Sequence, residues 1–200
     1  MFEAGSSAQY TFDLPAEIVT DQSVTTQIQV IAGGPCSGKT TLLRALEQSG
    51  YRVEGETAEQ VIQEGIASGK TAEEVKADPV EWQEALLKQD FELFDNLTDD
   101  AIVFTDTSFI ETVIFSLRAG VAVGPNIEAW LRQRRYRRVF FLDPLEYEGT
   151  AVRIDGEEVA KKLSQEVRAC YERFGYELIA VPSVPVTERI AFIKSIIEKD

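Results

Sequence analysis

A glycine-rich segment near the start of the chain has the residue types and spacing of a phosphate-binding loop. It reads Gly33, Gly34, Pro35, Cys36, Ser37, Gly38, Lys39, Thr40, which matches the pattern G-x-x-x-x-G-K-[ST]. Glycines allow consecutive backbone N–H groups to converge on one anion, and a helix that follows adds the positive end of its dipole. The alternative is a tight turn with an incidental lysine. Because the segment lies between a strand pattern and a helix pattern, the sequence favours a P-loop that binds a nucleoside triphosphate.

The P-loop pattern predicts how ATP and Mg²⁺ would bind. We expect Lys39 to bridge the β- and γ-phosphates, the Thr40 hydroxyl to bind Mg²⁺ and Thr41 to lie near the α-phosphate. A carboxylate at the end of a neighbouring apolar strand normally completes the metal shell, and Asp106 follows the apolar run AIVFT. Asp143 after RVFFL is the alternative, but a proline follows it and it could cap a loop. The sequence therefore favours Thr40 and Asp106 as the metal ligands.

Three other charged side chains are candidates for the chemistry. Glu56 follows a short strand pattern and could act as a general base or as an anchor for the acceptor, or it could be a helix N-terminal charge. Glu111, five residues after Asp106, is a further candidate on the cleft side of its helix. Arg153 lies in residues 145–160, which lack apolar periodicity and predict a lid. There it would stabilise charge on the transferred phosphoryl group, unless it pairs with surface acids.

Strand and helix patterns alternate along the chain. Predicted strands cover residues 26–32, 51–54, 101–105, 138–142 and 176–181, and predicted helices cover residues 39–48, 57–67, 80–96, 107–119, 125–133, 156–174 and 186–199. Thr187 is expected to N-cap the last helix. The spacing of the apolar residues predicts the buried stripe of the helix over residues 80–96, which contains Trp82, Leu86, Leu93 and Leu97 and is widened by Leu87, Phe91 and Phe94. With right-handed crossovers, this order predicts an α/β fold of the P-loop NTPase type. It has about five parallel strands between helical layers, with the ligand at their carboxyl ends.

Composition limits the classes of function. Residues 1–23 predict a loosely structured leader and residues 24–200 a single domain. The net charge of −14 disfavours nucleic-acid binding, and the absence of histidine excludes His-based triads and His-ligated zinc. Two cysteines without a disulfide pattern, and no apolar run of membrane-spanning length, favour a cytoplasmic protein.

The sequence leaves two interpretations open for each of two further features. The Cys36 thiol, among N–H groups and beside Lys39, could be redox-sensitive or a tolerated small residue. The basic cluster at residues 132–138 could bind polyphosphate or nucleic acid, or it could offset a helix dipole and pair with nearby acids.

The motifs that are missing narrow the type of P-loop protein. The chain contains neither N-K-x-D nor D-x-x-G, which a GTPase would need. No glutamate adjoins Asp106, so the water activator of motor-type and AAA-type ATPases is missing.

Three segments resemble a known family: GGPCSGKTTLLRALEQSGYRVEGETAEQVI, RRYRRVFFLDP and YERFGYELIAVPSVPVTERIAFI. They are similar to small P-loop ATPases and kinases of the AAA_28 type, to the nicotinamide-riboside kinase module and, more remotely, to thymidylate and deoxynucleoside kinases. The resemblance spans residues 27–197 and implies a nucleoside-monophosphate-kinase-like fold, ATP, Mg²⁺ and phosphoryl transfer to a small-molecule acceptor. Thr107 stands where relatives commonly have the arginine of an Asp-Arg pair. This departure keeps open a nucleotide-binding switch or weak ATPase that acts through a protein partner.

Overall fold

Strands and helices alternate in the computed structural model, which describes residues 26–35, 37–55, 57–97, 101–121, 131, 134–143 and 154–199. The strands are β1 (Ile28–Gly33), β2 (Arg52–Val53), β3 (Val103–Thr105), β4 (Arg138–Leu142) and β5 (Leu178–Val181). The helices are α1 (Lys39–Gln48), α2 (Thr57–Ala67), α3 (Ala72–Val75), α4 (Pro79–Asn96), α5 (Phe109–Arg118), α6 (Ile154–Arg173) and α7 (Val186–Ile197). The predicted α/β fold class is confirmed.

The five strands form one parallel sheet with the order β2-β3-β1-β4-β5. β1 is central, and its Val30 pairs with Thr105 of β3 on one side and Val139 of β4 on the other. Because the strands are parallel, their carboxyl ends meet at one edge. The glycine-rich segment after β1, Asp106 after β3 and Asp143 after β4 therefore share that edge.

Alternate side chains of the sheet enter two separate cores. Val139 and Phe141 of β4 belong to the core under α4, α5 and α6, whereas Phe140 and Leu142 belong to the core under α1 and α7. All four side chains are almost fully buried. This is the pattern of a strand covered by helices on both faces, and it fixes the sheet rigidly beneath the edge that carries the candidate site.

Helix α4 buries only part of the stripe that its apolar spacing predicts. Leu87, Phe94 and Leu97 are buried as predicted, whereas Trp82, Leu86, Phe91 and Leu93 are only partly buried. The buried face also contains two polar residues, Gln83 and Asp90. The two polar residues are accommodated because hydroxyl groups of α5 bond to them: Ser116 donates to Gln83 and Thr112 donates to Asp90. Apolar periodicity cannot detect polar residues that are buried as hydrogen-bonded pairs.

The N-terminus of α7 is another correction. Its N-cap is Pro185, which makes no side-chain cap bond, and Thr187 is the second residue of the helix rather than its cap. The short helix α3, closed by a capping box between Thr71 and Glu74, was not predicted. The leader at residues 1–23 and the helix predicted at residues 125–133, except Leu131, lie outside the described residues. Among the helices that are described, none is long and apolar enough to cross a membrane.

Candidate nucleotide and metal site

The backbone between the end of β1 and the start of α1 has a shape that requires glycine. Gly33 has φ of +146°, and a Cβ there would lie 2.4 Å from the Leu142 carbonyl oxygen of β4. Gly38, the N-cap of α1, has φ of +88° and ψ of +21°, in the left-handed region that side chains disfavour. The chain thus makes the close turn that a P-loop needs, from the end of a buried strand into the N-terminus of a helix.

Two side chains of the loop donate hydrogen bonds to backbone carbonyl oxygens of the same loop. Lys39 Nζ donates to the carbonyls of Gly33 at 2.7 Å and Gly34 at 3.1 Å, and Ser37 Oγ donates to the Gly34 carbonyl at 2.9 Å. Thr40 and Thr41 are exposed in the first turn of α1. The first N–H groups of a helix have no intrahelical partner and carry the positive end of its dipole. A lysine, two hydroxyls and a helix N-terminus are therefore together at one edge of the sheet.

The two aspartates at the strand ends have different surroundings. Asp106 is partly buried, and Gly55 lies against it, since a Cβ on Gly55 would be 2.9 Å from Asp106 Oδ1. The side chain of Asp143 is 63% exposed and its Oδ1 accepts a hydrogen bond from Arg168 Nη2 at 3.0 Å. Both aspartates follow strands that pair directly with β1, but Asp143 is exposed and engaged by a cation at the surface, whereas Asp106 is partly buried.

Glu111 is a buried carboxylate in the first turn of α5. Its backbone N–H bonds to the hydroxyl of Ser108, the N-cap of α5, and its Oε1 accepts from Tyr171 Oη at 3.1 Å. Burial raises the pKa of Glu111 to about 7; the positive charge of Lys39 and the Tyr171 hydrogen bond oppose this rise, and the negative charge of Asp106 adds to it. The structure therefore brings Glu111 into the electrostatic environment of Lys39 and Asp106.

A second buried carboxylate, Asp90 of α4, was missed by the sequence analysis. Thr57 Oγ1 donates to its Oδ1 at 2.9 Å, and Thr112 Oγ1 donates to its Oδ2. Burial raises its pKa to about 6, although both hydroxyl hydrogen bonds lower it. Thr57 also lies 3.1 Å from Thr107 Oγ1. Asp90 thus joins α2, α4 and α5 to the segment after β3 that carries Asp106.

The remaining predicted site residues fall outside the described part of the chain. These are Glu56, Arg153 and Cys36. The described chain resumes at Ile154 as α6, so residues 154–160 of the predicted lid are helical. This helix reaches the loop, because a Cβ on Gly34 would meet Ser164 at 2.9 Å.

The described residues of the basic cluster at 132–138 make structural contacts. Arg134 forms a bidentate ion pair with Asp95. Arg135 donates to the carbonyls of Phe174 and Gly175. These contacts agree with the structural interpretation of the cluster.

Comparison with known proteins places the chain in a family. Residues 29–189, from β1 to the first turn of α7, match the AAA domain family. The chain belongs to this family. No curated protein matches the sequence. The AAA domain includes the glycine-rich loop, Asp106 and Glu111.

Solved structures with a similar fold share little sequence with this AAA domain. The NadR protein in complex with NR has a TM-score of 0.59 at 16% identity, covering 84% of this chain and 48% of that chain. Deoxyadenosine kinase from M. mycoides with bound dATP has a TM-score of 0.55 at 14% identity, covering 86% and 99%. The YorR protein of Bacillus subtilis in complex with phosphorylated GDP has a TM-score of 0.53 at 12% identity, covering 88% and 96%. The chain spans about half the length of NadR, and at these identities the likeness establishes the fold.

Proposed function

We propose that this chain is an ATP- and Mg²⁺-dependent phosphotransferase that acts on a small-molecule acceptor. The observation that carries the proposal is that Lys39, on a glycine loop at a helix N-terminus, and Asp106 both lie near enough to the buried carboxylate of Glu111 for their charges to act on it. Phosphoryl transfer depends on positioning and on neutralising charge, and these groups supply both. The bound dATP of deoxyadenosine kinase and the phosphorylated GDP of YorR support a nucleotide as the ligand of this fold.

Mg²⁺ is compatible with the side chains at the site. The Thr40 hydroxyl and the Asp106 carboxylate are hard oxygen ligands of the kind that Mg²⁺ prefers. No cluster of three metal-binding carboxylates, cysteines or histidines occurs among the described residues, so phosphate oxygens and water would complete the shell. Bound there, Mg²⁺ would neutralise charge on the phosphate chain. Lys39 would bind the β- and γ-phosphates, and the loop residues from Gly33 to Thr41 would surround them.

The acceptor is expected to lie beside the two glutamates. Glu111 has a pKa close to neutral, which suits a group that takes the proton of an acceptor hydroxyl. Glu56 is the other candidate for that role, and its chain neighbours contact the segment after β3: Gly55 lies against Asp106 and Thr57 against Thr107. Arg153 would act from the segment before α6, on the charge that develops during transfer.

A screen of candidate acceptors tests the proposal. ATP consumption is measured with the wild-type chain and Mg²⁺ against a panel of nucleosides, sugars and small hydroxy acids, and product phosphorylation is followed by mass spectrometry. We expect one acceptor to stimulate turnover at least about tenfold. Glu111→Gln should lower the kcat of this reaction by a larger factor than it changes the KM for ATP. Glu84→Gln, an exposed substitution on α4, is the matched control. Slow ATP consumption that no acceptor changes would contradict a kinase.

The second candidate is a nucleotide-binding switch or weak ATPase that acts through a protein partner. It is favoured by the position of Thr107, the residue after Asp106, whose hydroxyl bonds to Thr57 and Thr105 within the fold. That side chain is engaged internally and does not supply a cation or a water activator at the strand end. Turnover independent of acceptor, together with a partner whose binding differs between the ATP and ADP states, would establish this function instead.

A further inference from the structure

A buried arginine of α7 is hydrogen-bonded to the backbone of the phosphate loop on its buried side. Arg189, in the first turn of the helix, is only 7% exposed although it carries a charge. Its Nη1 donates to the carbonyl of Ser37 at 3.2 Å, and its Nε donates to the carbonyl of Val184 at 2.8 Å. The guanidinium therefore joins the loop after β1 to the segment between β5 and α7, across 152 positions of sequence.

The bond to Ser37 fixes the direction of one peptide group in the loop. In a planar trans peptide, the carbonyl of one residue and the N–H of the next point in opposite directions. A guanidinium that holds the Ser37 carbonyl on the buried side therefore turns the Gly38 N–H to the other side. Gly38 stands at the N-terminus of α1 in a left-handed conformation, where successive N–H groups form an anion-binding concavity.

The positive charge of Arg189 also favours the binding of an anion at the loop. No described carboxylate forms an ion pair with Arg189, whose hydrogen bonds go to backbone carbonyls. Ser37 itself is 1% exposed, so water screens the guanidinium poorly from the loop. A buried positive charge behind the loop favours an anion in front of it, because low-dielectric surroundings extend its field.

We propose that Arg189 is a positioning residue of the phosphate loop, which orients the Gly38 N–H towards the phosphate chain of the bound nucleotide through the Ser37 carbonyl. The inference rests on the proposed nucleotide binding and adds a residue that contacts no ligand. It also makes the segment that contains Val184 part of the same unit, since one guanidinium holds both carbonyls. A lysine cannot reproduce this, because one ammonium group lacks the fixed fork of donors that reaches two carbonyls.

Selective labelling allows the orientation of the Gly38 N–H to be observed directly. With ¹³C-carbonyl serine and ¹⁵N-glycine, only Ser–Gly peptides give correlated signals, and the chain has three of them, at residues 37–38, 49–50 and 68–69. Mg²⁺ with the ATP analogue AMP-PNP is the probe. In the wild type we expect the Gly38 amide proton to move downfield when the probe binds, while Gly50 and Gly69 serve as internal controls.

Arg189→Lys and Arg189→Met test the role. We expect both variants to lose at least half of the Gly38 shift and to bind AMP-PNP at least about tenfold more weakly in calorimetry, a loss of about 1.4 kcal/mol. The affinity of both variants for adenosine, which has no phosphate, should stay within about twofold of the wild-type affinity. Lys194→Gln, which removes another cation from α7, should match the wild type in every measurement.

The outcomes separate this inference from the proposed function. If wild-type protein binds AMP-PNP and Arg189→Lys retains both the affinity and the Gly38 shift, the positioning role is wrong. If both variants lose affinity for adenosine and AMP-PNP equally, Arg189 is structural only and the inference fails. It fails in the same way if Arg189→Met unfolds at the temperature of measurement while Arg189→Lys stays folded with full affinity. If wild-type protein binds no nucleotide, the proposed function itself fails.

Discussion

The substitution Asp90→Asn should change how the stability of this protein depends on pH. Asp90 is 3% exposed, and its pKa is raised from 3.8 to about 6 by burial. A carboxyl group with a raised pKa in the folded state binds its proton more tightly there than in the unfolded chain. Its contribution to stability is therefore complete below pH ~4 and is lost as the pH rises through about 6. Asparagine has nearly the same shape and does not titrate.

The size of the effect follows from the shift in pKa. A rise of about two units corresponds to ~3 kcal/mol between the fully protonated and fully ionised limits. Between pH 5 and pH 8 the contribution of Asp90 to the free energy of unfolding should change by about half of this, ~1.4 kcal/mol. The net charge of the chain keeps it away from its isoelectric point in this range. For a domain of this size the change is equivalent to about 3–6 °C in Tm. Any constant effect of the amide on the Thr57 and Thr112 hydrogen bonds leaves this pH-dependent part unchanged.

Urea unfolding of both proteins at several pH values measures the effect, with tryptophan fluorescence as the signal. The free energy of unfolding of Asp90→Asn minus that of the wild type should become more positive as the pH rises from 5 to 8. Glu111 titrates in the same range, but both proteins contain it and most of its contribution cancels. Glu84→Gln on the same helix removes an exposed carboxylate and should give a flat difference. A flat or falling difference for Asp90→Asn would mean that its carboxyl is not held in the buried site described.

Three further predictions concern the loop and its carboxylates. Gly33→Ala should lower the Tm by several degrees and weaken AMP-PNP binding, because the added Cβ would meet a carbonyl oxygen of β4 at 2.4 Å. Gly50 also has a positive φ but has open space around it, so Gly50→Ala should have the smaller effect. Thermal unfolding and calorimetry measure the two effects. Asp106→Asn should raise the Mg²⁺ concentration needed for half-maximal turnover more than it weakens nucleotide binding, and equal Mg²⁺ titrations would remove this residue from the metal shell. Tyr171→Phe should raise the pKa of Glu111 further, because it removes a hydrogen bond that lowers this pKa. Since a general base must be ionised, the acidic limb of the kcat profile should move to higher pH, and an unchanged profile would exclude Glu111 as the group that titrates.

The fold was predictable because its signals are local. The glycine loop, the apolar strand runs and the helical spacing each depend on neighbouring residues, and α1 and α2 begin and end where the sequence predicts. Right-handed crossovers predict a parallel sheet once the elements are known, but the strand order and the register come from the structure. The errors in two helices have physical reasons. The N-cap of α7 is Pro185, which makes no side-chain cap bond, and α4 buries two polar residues beside part of its predicted apolar stripe.

The candidate site was predictable only in part, because its carboxylates depend on tertiary contacts. The positions of Lys39 and Asp106 follow from a motif and from a strand end. Glu111 has a weaker local signal, the Ser108-x-x-Glu111 spacing of a helix N-terminus, which places it in the first turn but not beside Lys39. Asp90 has none, since its hydroxyl partners lie 22 and 33 positions away and come from other helices. Arg189 likewise acts across the whole chain, so only the folded structure connects it to the loop.

The most direct test of nucleotide binding by the P-loop compares wild-type protein with Lys39→Ala in calorimetric titrations with Mg²⁺ and ATP. A hydrogen bond to a charged group contributes roughly 1.5–3 kcal/mol, so losing Lys39 should weaken ATP binding about 10- to 100-fold. Lys70→Ala, at an exposed position after α2, controls for the loss of a cation, and urea unfolding verifies that each variant is folded. Saturable ATP binding by the wild type and by Lys70→Ala, with this loss in Lys39→Ala, is the predicted result. Equal ATP affinity in all three proteins, or no binding by the wild type, would contradict it.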